Sequence, residues 1–129
     1  MLDRIDIQVE VPPVRVEDIE RAEPGESSET IRKRVNAARS TQGRRFADDP
    51  LVYCNAQMGS RLLKTHCCLD TASNRLLHRA VDSLGLSARA YHRILKIART
   101  VADLDDNDRI DSTHVGEAIQ YRRMQHDTV

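Results

Sequence analysis

The sequence predicts a mainly α-helical protein, in which a bundle of four to five helices follows one β-strand. Residues 86–104 carry apolar side chains at helical spacing, so that one face of this helix is apolar and the other is rich in arginine and lysine. Only 3% of the residues are aromatic and 31% are charged, a composition that favours a helical protein with a core of aliphatic side chains. A single alternating stretch near the start of the chain predicts the strand.

Residues 4–11 alternate polar and apolar side chains and are followed by two prolines, which predicts a strand with one apolar face. That face consists of Ile5, Ile7, Val9 and Val11. The downstream sequence has no second alternating stretch, so the backbone groups of this strand lack a predicted partner. The strand pairs with another copy, frays, or belongs to a sheet formed by a preceding part of a longer protein. We favour the last alternative and interpret the chain as a fragment.

Capping signals place the first helices of the bundle. Residues 14–26 are acidic and contain a Pro-Gly pair, which predicts a linker or a short turn. Ser27 or Ser28 can cap a helix that extends to about Gln42. After an irregular stretch, a short helix is predicted over residues 60–67.

Stronger signals delimit the later helices. Asp70 is a good N-cap for a helix that ends at Gly85, because glycine readily adopts the left-handed conformation that terminates helices. Ser87 then caps the amphipathic helix, and Asp111 or Ser112 begins the last helix after a polar break. The strand and helices together complete the predicted fold.

The net charge is zero but is unevenly distributed. Residues 1–30 carry −6, residues 31–99 carry +10 and residues 100–129 carry −4. Residues 30–47 contain no acidic side chain, and a solvent-exposed helix surface is the commoner interpretation of such a stretch. Pairing of the basic middle with the acidic ends explains the pattern equally well. Contact with a nucleic-acid backbone is the third interpretation, and its candidate residues are Arg32, Lys33, Arg34, Arg39, Arg44 and Arg45.

The residues do not indicate a self-sufficient active site or a metal centre. The spacing of Cys54, Cys67 and Cys68 does not match a zinc site, and we expect Cys67 and Cys68 to be buried apolar side chains. His114 falls in the first turn of the last helix and is interpreted as structural. A phosphate-binding loop, a signal peptide and a membrane-spanning run are not found, and we expect a reduced, cytoplasmic protein without a membrane partner.

Five stretches resemble the C-terminal part of magnesium-chelatase-like AAA+ ATPases, the ComM/YifB group. They occur in the family's order and are spread over nearly the whole chain. The resemblance implies that residues 1–24 are the end of a strand of the ATPase core and a linker, and that residues 25–129 are the helical lid. The stretches are LDRIDIQVEVP (residues 2–12), GESSETIRKRV (residues 25–35), NAQM (residues 55–58), LGLSARAYHRILKIARTVADL (residues 84–104) and HVGEAIQYR (residues 114–122).

The resemblance also implies roles for single arginines. Arg4, in LDRID, matches the arginine finger that reaches the nucleotide of a neighbouring subunit, and Arg89, in LSAR, matches the second sensor of the γ-phosphate. Arg93, one turn later, is the competing sensor candidate. A permanently charged guanidinium suits both roles, because phosphoryl transfer spreads negative charge over the γ-phosphate oxygens.

The implied function is that of a lid fragment of a homo-hexameric motor acting on DNA, for example in branch migration during uptake of transforming DNA. ATP and Mg²⁺ would be bound by the full-length protein with its N-terminal AAA+ core, and none is expected on this fragment, which we therefore expect not to be an enzyme alone. A metal-chelatase role follows from the family's name only. Two alternatives belong to other classes: a free-standing helical module that binds nucleic acid, and an oligomerisation domain that pairs through residues 5–11.

Overall fold

A computed structural model of the chain describes residues 5–21 and 23–127, with side chains described as far as Arg122. The described residues are mainly helical, which confirms the predicted fold class. An additional short 3-10 helix covers Asn55–Gln57. The helices are α1 (Val16–Arg21), α2 (Ser28–Arg45), α3 (Ser60–His66), α4 (Thr71–Leu84), α5 (Ala88–Leu104) and α6 (Ser112–Asp127).

The predicted capping residues delimit three of these helices. α2 continues three residues beyond the expected end at Gln42. Gly85 ends α4 with a φ of 62°, a left-handed conformation that costs glycine little because it has no Cβ. In each capped helix a side-chain oxygen accepts a hydrogen bond from the backbone N–H three residues later: Ser27 from Thr30 (3.1 Å), Asp70 from Ser73 (2.7 Å) and Ser87 from Ala90 (3.2 Å).

The core surrounds α5, which packs against α6, α2, α3 and the 3-10 helix. Its apolar face is buried as predicted, with Ile94 and Ala98 fully inaccessible to solvent. α4 contributes Leu77 and α6 contributes Val115, which are also fully buried. Burying an aliphatic side chain of this size stabilises the fold by about 1.5–3 kcal/mol. The aliphatic core thus accounts for the arrangement of α4, α5 and α6.

The beginning of the chain differs from its prediction. Residues 5–11 do not form a strand, and Ile5, Ile7, Val9 and Val11 are all exposed. The physical reason is that the described chain offers no neighbouring strand: its β-type pairing is a single parallel bridge between Leu69 and Ile110. The predicted linker at residues 14–26 is also partly helical, because it contains the exposed helix α1.

The two adjacent cysteines lie in different environments, so the prediction for them is only half right. Cys67 is buried in the core, and burial raises the pKa of its thiol to about 11. Cys68 is exposed, and its Sγ donates a hydrogen bond to the carbonyl oxygen of Lys64 at 3.1 Å. It lies just beyond α3, where the chain turns toward α4, and there neighbouring side chains point in different directions.

Candidate functional site

Arg89 lies at the N-terminal end of α5, beside the turn at Gly85 that separates this helix from α4. Its side chain is exposed, and it forms no hydrogen bond or ion pair with another residue in the described part of the chain. The capping oxygen of Ser87 fixes the start of the helix. Arg89 is therefore held on a rigid helix end, where the helix dipole also favours a negatively charged ligand.

Arg93, the competing sensor candidate, lies one turn further along α5 and has a different environment. It is half-buried, and its Nη1 lies 3.2 Å from Oδ1 of Asp6 in the N-terminal segment. The two candidates therefore differ in availability: Arg89 faces solvent, whereas Arg93 contacts another part of the chain. Arg4, the predicted arginine finger, lies outside the described residues.

The rest of the predicted cationic face of α5 is directed into the molecule. Nζ of Lys96 donates to the carbonyl oxygen of Ala56 at 3.0 Å. Arg99 is only 4% exposed, and its guanidinium donates to the carbonyl oxygens of Asn107 and Asp108 at 2.7 and 3.0 Å. The expectation that one ridge of α5 is presented to solvent is thus wrong beyond its first turns, because the connection to α6 and the 3-10 helix cover it.

A buried polar cluster joins α2, the 3-10 helix and α5; we call Arg45, Asn55, Arg99 and Asp103 the Asp103 cluster. The side chain of Asp103 is 0% exposed and that of Arg45 is 11% exposed. Arg45 binds both carboxylate oxygens of Asp103, at 2.6 and 2.8 Å. Nδ2 of Asn55 donates to the same carboxylate at 2.8 Å, and Nη2 of Arg99 lies 3.2 Å from it. Each oxygen of the buried carboxylate thus has two N–H groups within 3.2 Å.

The Asp103 cluster keeps its charges although it is buried. Burial alone raises the pKa of Asp103, but hydrogen bonds from Arg45 and Asn55 and the two guanidinium charges outweigh it, and the net pKa is lowered. Burial lowers the pKa of Arg99, and the Asp103 carboxylate opposes this effect. A bidentate guanidinium–carboxylate pair of this kind is structural and leaves no open position for a ligand.

Sequence reasoning missed the Asp103 cluster, because both Arg99 and Asp103 fall on the polar arc of the helical wheel. One local signal was present: they are four residues apart, a spacing that brings opposite charges together on a helix. The contributions of Arg45 and Asn55 come from distant parts of the chain and have no local signal. The prediction that Arg45 lies on the exposed basic surface is therefore wrong, since its guanidinium is bound by Asp103 and Asn55.

The other candidate nucleic-acid contacts remain on the exposed side of α2. Arg34 forms a bidentate pair with Glu26, in which Nη2 lies 3.1 Å from Oε2. Lys33 lies 3.7 Å from Glu29 in an open, solvated pair. Besides the paired Arg34, the exposed cations of this helix, which we call the α2 basic surface, are Arg32, Lys33, Arg39 and Arg44.

His114 is buried in the first turn of α6, and its imidazole contacts residues of the connection between α5 and α6. Its Nδ1 accepts a hydrogen bond from the backbone N–H of Asp111 at 3.0 Å, and its Nε2 lies 2.9 Å from Oδ2 of Asp105. These contacts agree with a structural role. Within the residues that the structure describes, no group of three or more potential metal ligands is found, and no helix is long and apolar enough to cross a membrane.

Known proteins resemble this chain over most of its length. The competence protein ComM of Haemophilus influenzae is 37% identical over 124 residues, which cover 95% of this chain and 23% of that protein. The uncharacterized proteins YifB of Salmonella typhimurium and Escherichia coli are each 40% identical over 124 residues, 95% of this chain and 24% of each relative. The chain thus spans about a quarter of the length of these relatives.

A family model supports the same assignment. The model of the C-terminal part of magnesium chelatase, subunit ChlI, matches residues 25–122, which comprise α2 to α6 up to the last described side chain. The match therefore covers the helical bundle, including the exposed Arg89 and the Asp103 cluster. The chain belongs to the magnesium chelatase subunit ChlI C-terminal family and corresponds to the C-terminal domain of ComM-like proteins.

Proposed function

We propose that this chain is the helical lid of a ComM-like AAA+ ATPase and that Arg89 is its second sensor, contacting the γ-phosphate of ATP held by a preceding ATPase core. Arg4 would act as the arginine finger toward the nucleotide of a neighbouring subunit in a homo-hexamer. The protein would be cytoplasmic. The observation that carries the proposal is the position of Arg89: exposed, without a partner among the described residues, and held on a capped helix end.

The chemistry required of Arg89 is electrostatic. ATP supplies the transferable phosphoryl group, and Mg²⁺ neutralises part of its charge, when both are bound by the core. A guanidinium adds fixed positive charge and planar donors without any change of protonation, because its pKa is far above neutrality. The helix fixes the backbone of Arg89, so only its side chain has to be ordered when it meets the phosphate.

The direct test is Arg89→Ala in the full-length protein that the proposal implies. Loss of a charge-assisted hydrogen bond costs about 1.5–3 kcal/mol, so we expect turnover of ATP to fall roughly 10- to 150-fold. Steady-state hydrolysis and ATP affinity should be measured together. Unchanged turnover and unchanged affinity would remove Arg89 from the sensor role.

A matched control is available on the neighbouring helix. Arg79 is also an exposed arginine, and it lies in α4, away from the start of α5. Arg79→Ala should leave ATP turnover unchanged, because it removes the same side chain from a surface that the proposal does not use. An equal loss in both variants would indicate a general effect of surface charge.

A second candidate function is nucleic-acid binding by the α2 basic surface, either as the DNA-facing part of the motor or as an independent module. The observation that favours it is the exposure of four cations on one helix, which Glu26 and Glu29 leave largely unneutralised. Such a surface would contact the phosphate backbone and would not read sequence.

This second candidate is tested with the chain itself and a DNA duplex of arbitrary sequence. We expect measurable binding at low salt that weakens steeply as salt rises, because binding releases condensed counterions. The double variant Arg32→Ala/Arg39→Ala should weaken binding and make it less salt-dependent. Absence of binding at low ionic strength would exclude the independent module.

A further inference from the structure

The N-terminal segment is attached to the bundle by polar contacts at three successive points. Asp6 pairs with Arg93 of α5 at 3.2 Å, and Nη1 of Arg122 in α6 donates to the carbonyl oxygen of Ile5 at 3.0 Å. The backbone N–H of Gln8 donates to the carbonyl oxygen of Tyr121 at 3.2 Å. We call these three contacts the N-terminal clasp.

Polar contacts, more than apolar burial, determine where this segment lies. The segment lines one side of a groove of about 430 Å³, which Ile97, Val101 and Tyr121 also line. Its own apolar side chains remain largely in solvent, however, with Ile7 52% and Val9 65% exposed. Because hydrophobic stabilisation scales with the area removed from water, each of these side chains contributes only part of its full burial energy. The directional contacts of the clasp therefore fix the position of the segment, and the partial burial supports them.

The ion pair of the clasp, between Asp6 and Arg93, connects the N-terminal segment to α5. Arg93 is one helical turn after Arg89, so both belong to the same rigid part of α5. Asp6 follows Arg4 by two residues in the sequence. The pair thus joins the helix that carries the proposed sensor to the segment that follows the proposed finger.

We propose that Asp6 and Arg93 are positioning residues whose ion pair makes the finger-bearing segment follow the movement of the sensor-bearing helix. This inference rests on the proposed function for the roles of Arg4 and Arg89. A shift of α5 upon nucleotide contact is passed through the pair to the N-terminal segment, so that one event orients both arginines. Arg93 acts through Asp6 in this arrangement and does not itself contact nucleotide.

The first part of the test measures the clasp in the chain itself, without nucleotide, by hydrogen exchange at the amide of Gln8. We expect this amide to be protected in the unaltered chain. Asp6→Arg and Arg93→Asp should each lower the protection by about two- to fivefold, the range for a partly exposed ion pair. The double variant Asp6→Arg/Arg93→Asp restores a pair of opposite charges and should recover the protection.

The second part measures ATP turnover of the same variants in the full-length protein that the proposal implies. Each single variant should lower kcat by about tenfold or more with little change in KM, because a displacement of about 1 Å can cost roughly a hundredfold in rate. The double variant should recover most of the loss. Glu10→Arg and Arg79→Asp, which reverse exposed charges on the same segment and on α4, should change neither measurement.

The outcomes separate this inference from the proposed function. An unprotected Gln8 amide in the unaltered chain overturns the clasp, and normal kcat in both single variants overturns the coupling. A loss in Arg93→Asp that the double variant does not rescue also overturns it, since Arg93 would then act on the nucleotide directly. Whether Arg89 is a sensor is decided by Arg89→Ala, which leaves the clasp intact.

Discussion

The two helices richest in arginine and lysine, α2 and α5, use their cations in opposite ways. Most cations of α2 face solvent, and their nearby partners are exposed glutamates. Beyond its first turn, α5 instead directs its cations to an aspartate of the N-terminal segment, to backbone carbonyls and to a buried carboxylate. Both helices carry a net positive charge in the sequence, so the charge of a helix does not indicate whether it is available to a partner.

The difference arises from the position of each helix in the bundle. α5 is surrounded by α2, α3 and α6, so a charged side chain outside its apolar stripe still meets protein. α2 is packed on one side only, with Ala38 and Gln42 as its buried residues. Arg45, at the end of α2, is the exception, because there the helix reaches α5 and the arginine enters the Asp103 cluster.

Asp103→Ala is expected to have the largest effect among the substitutions that test this difference between α2 and α5. The substitution leaves Arg45 and Arg99 buried without their shared carboxylate, and removing one partner of a buried ion pair typically costs about 3–5 kcal/mol. We expect a loss of that size in the free energy of unfolding measured with urea. Asp82→Ala, at an exposed position of α4, is the control and should change the value by less than about 0.5 kcal/mol.

The next effect concerns two adjacent arginines. Arg45→Met removes the bidentate partner of Asp103 and should destabilise the fold by about 2–3 kcal/mol, the range for hydrogen bonds to a charged group. Arg44→Met alters an exposed side chain and should remain within about 0.5 kcal/mol. Equal losses of stability in urea unfolding would show that Arg45 does not form the buried contact that distinguishes it from the exposed Arg44.

The dependence of stability on pH tests the charge state of the Asp103 cluster. The pKa of Asp103 is lower in the folded protein than its ordinary value of 3.8, so the cluster stabilises the fold above that value. The unfolded chain takes up the proton first as the pH falls, and this stability is lost below about pH 4. Unfolding in urea between pH 7 and pH 3 should show the decline.

Two other carboxylates contribute to the same decline. A backbone hydrogen bond from Ser73 lowers the pKa of Asp70, and a hydrogen bond from the Thr113 hydroxyl lowers that of Asp111. In Asp103→Asn the decline should therefore be shallower but should not disappear. A pH profile identical to that of the unaltered chain would show that the pKa of Asp103 does not differ between the folded and the unfolded chain.

The smallest effect is expected from removing the N-terminal caps of α5 and α2. Ser87→Ala removes the cap of α5, which packs against α2, α3, α6 and the 3-10 helix, and should cost about 1 kcal/mol in global stability. Ser27→Ala removes an equivalent cap from α2, whose first turns are exposed, so local fraying should replace global destabilisation. Urea unfolding combined with hydrogen exchange in α2 distinguishes the two responses.

The features of this structure that were predictable are those that depend on local sequence signals, such as helix caps. Ser27, Asp70, Ser87 and Gly85 act within a few residues of their own position, and the helix boundaries they predicted are found. The exposure of Arg89 was also predictable, because Arg89 lies in the first turn of α5, before the part of this helix that other helices surround. The alternation in residues 4–11 indicated only a segment capable of strand formation, because a strand also requires a neighbour.

Apart from the local pair of Arg99 and Asp103, the Asp103 cluster was not predictable, since Arg45 and Asn55 are brought to it by tertiary structure. Arg45 and Asn55 lie 58 and 48 residues before Asp103, and no periodicity relates them. The same limit applies to the pairing of Asp6 with Arg93. In each case a charge that the sequence pattern assigned to solvent is paired with another part of the chain.

The long separation between Arg45 and Asp103 also bears on the order in which the chain folds. Closing a loop of 58 residues costs more chain entropy than joining α4 to α5 across the short turn at Gly85. We therefore expect local contacts among α4, α5 and α6 to form before α2 docks. Because α2 leaves the ribosome earlier than those helices, the part of the domain that is synthesised first would then be placed last.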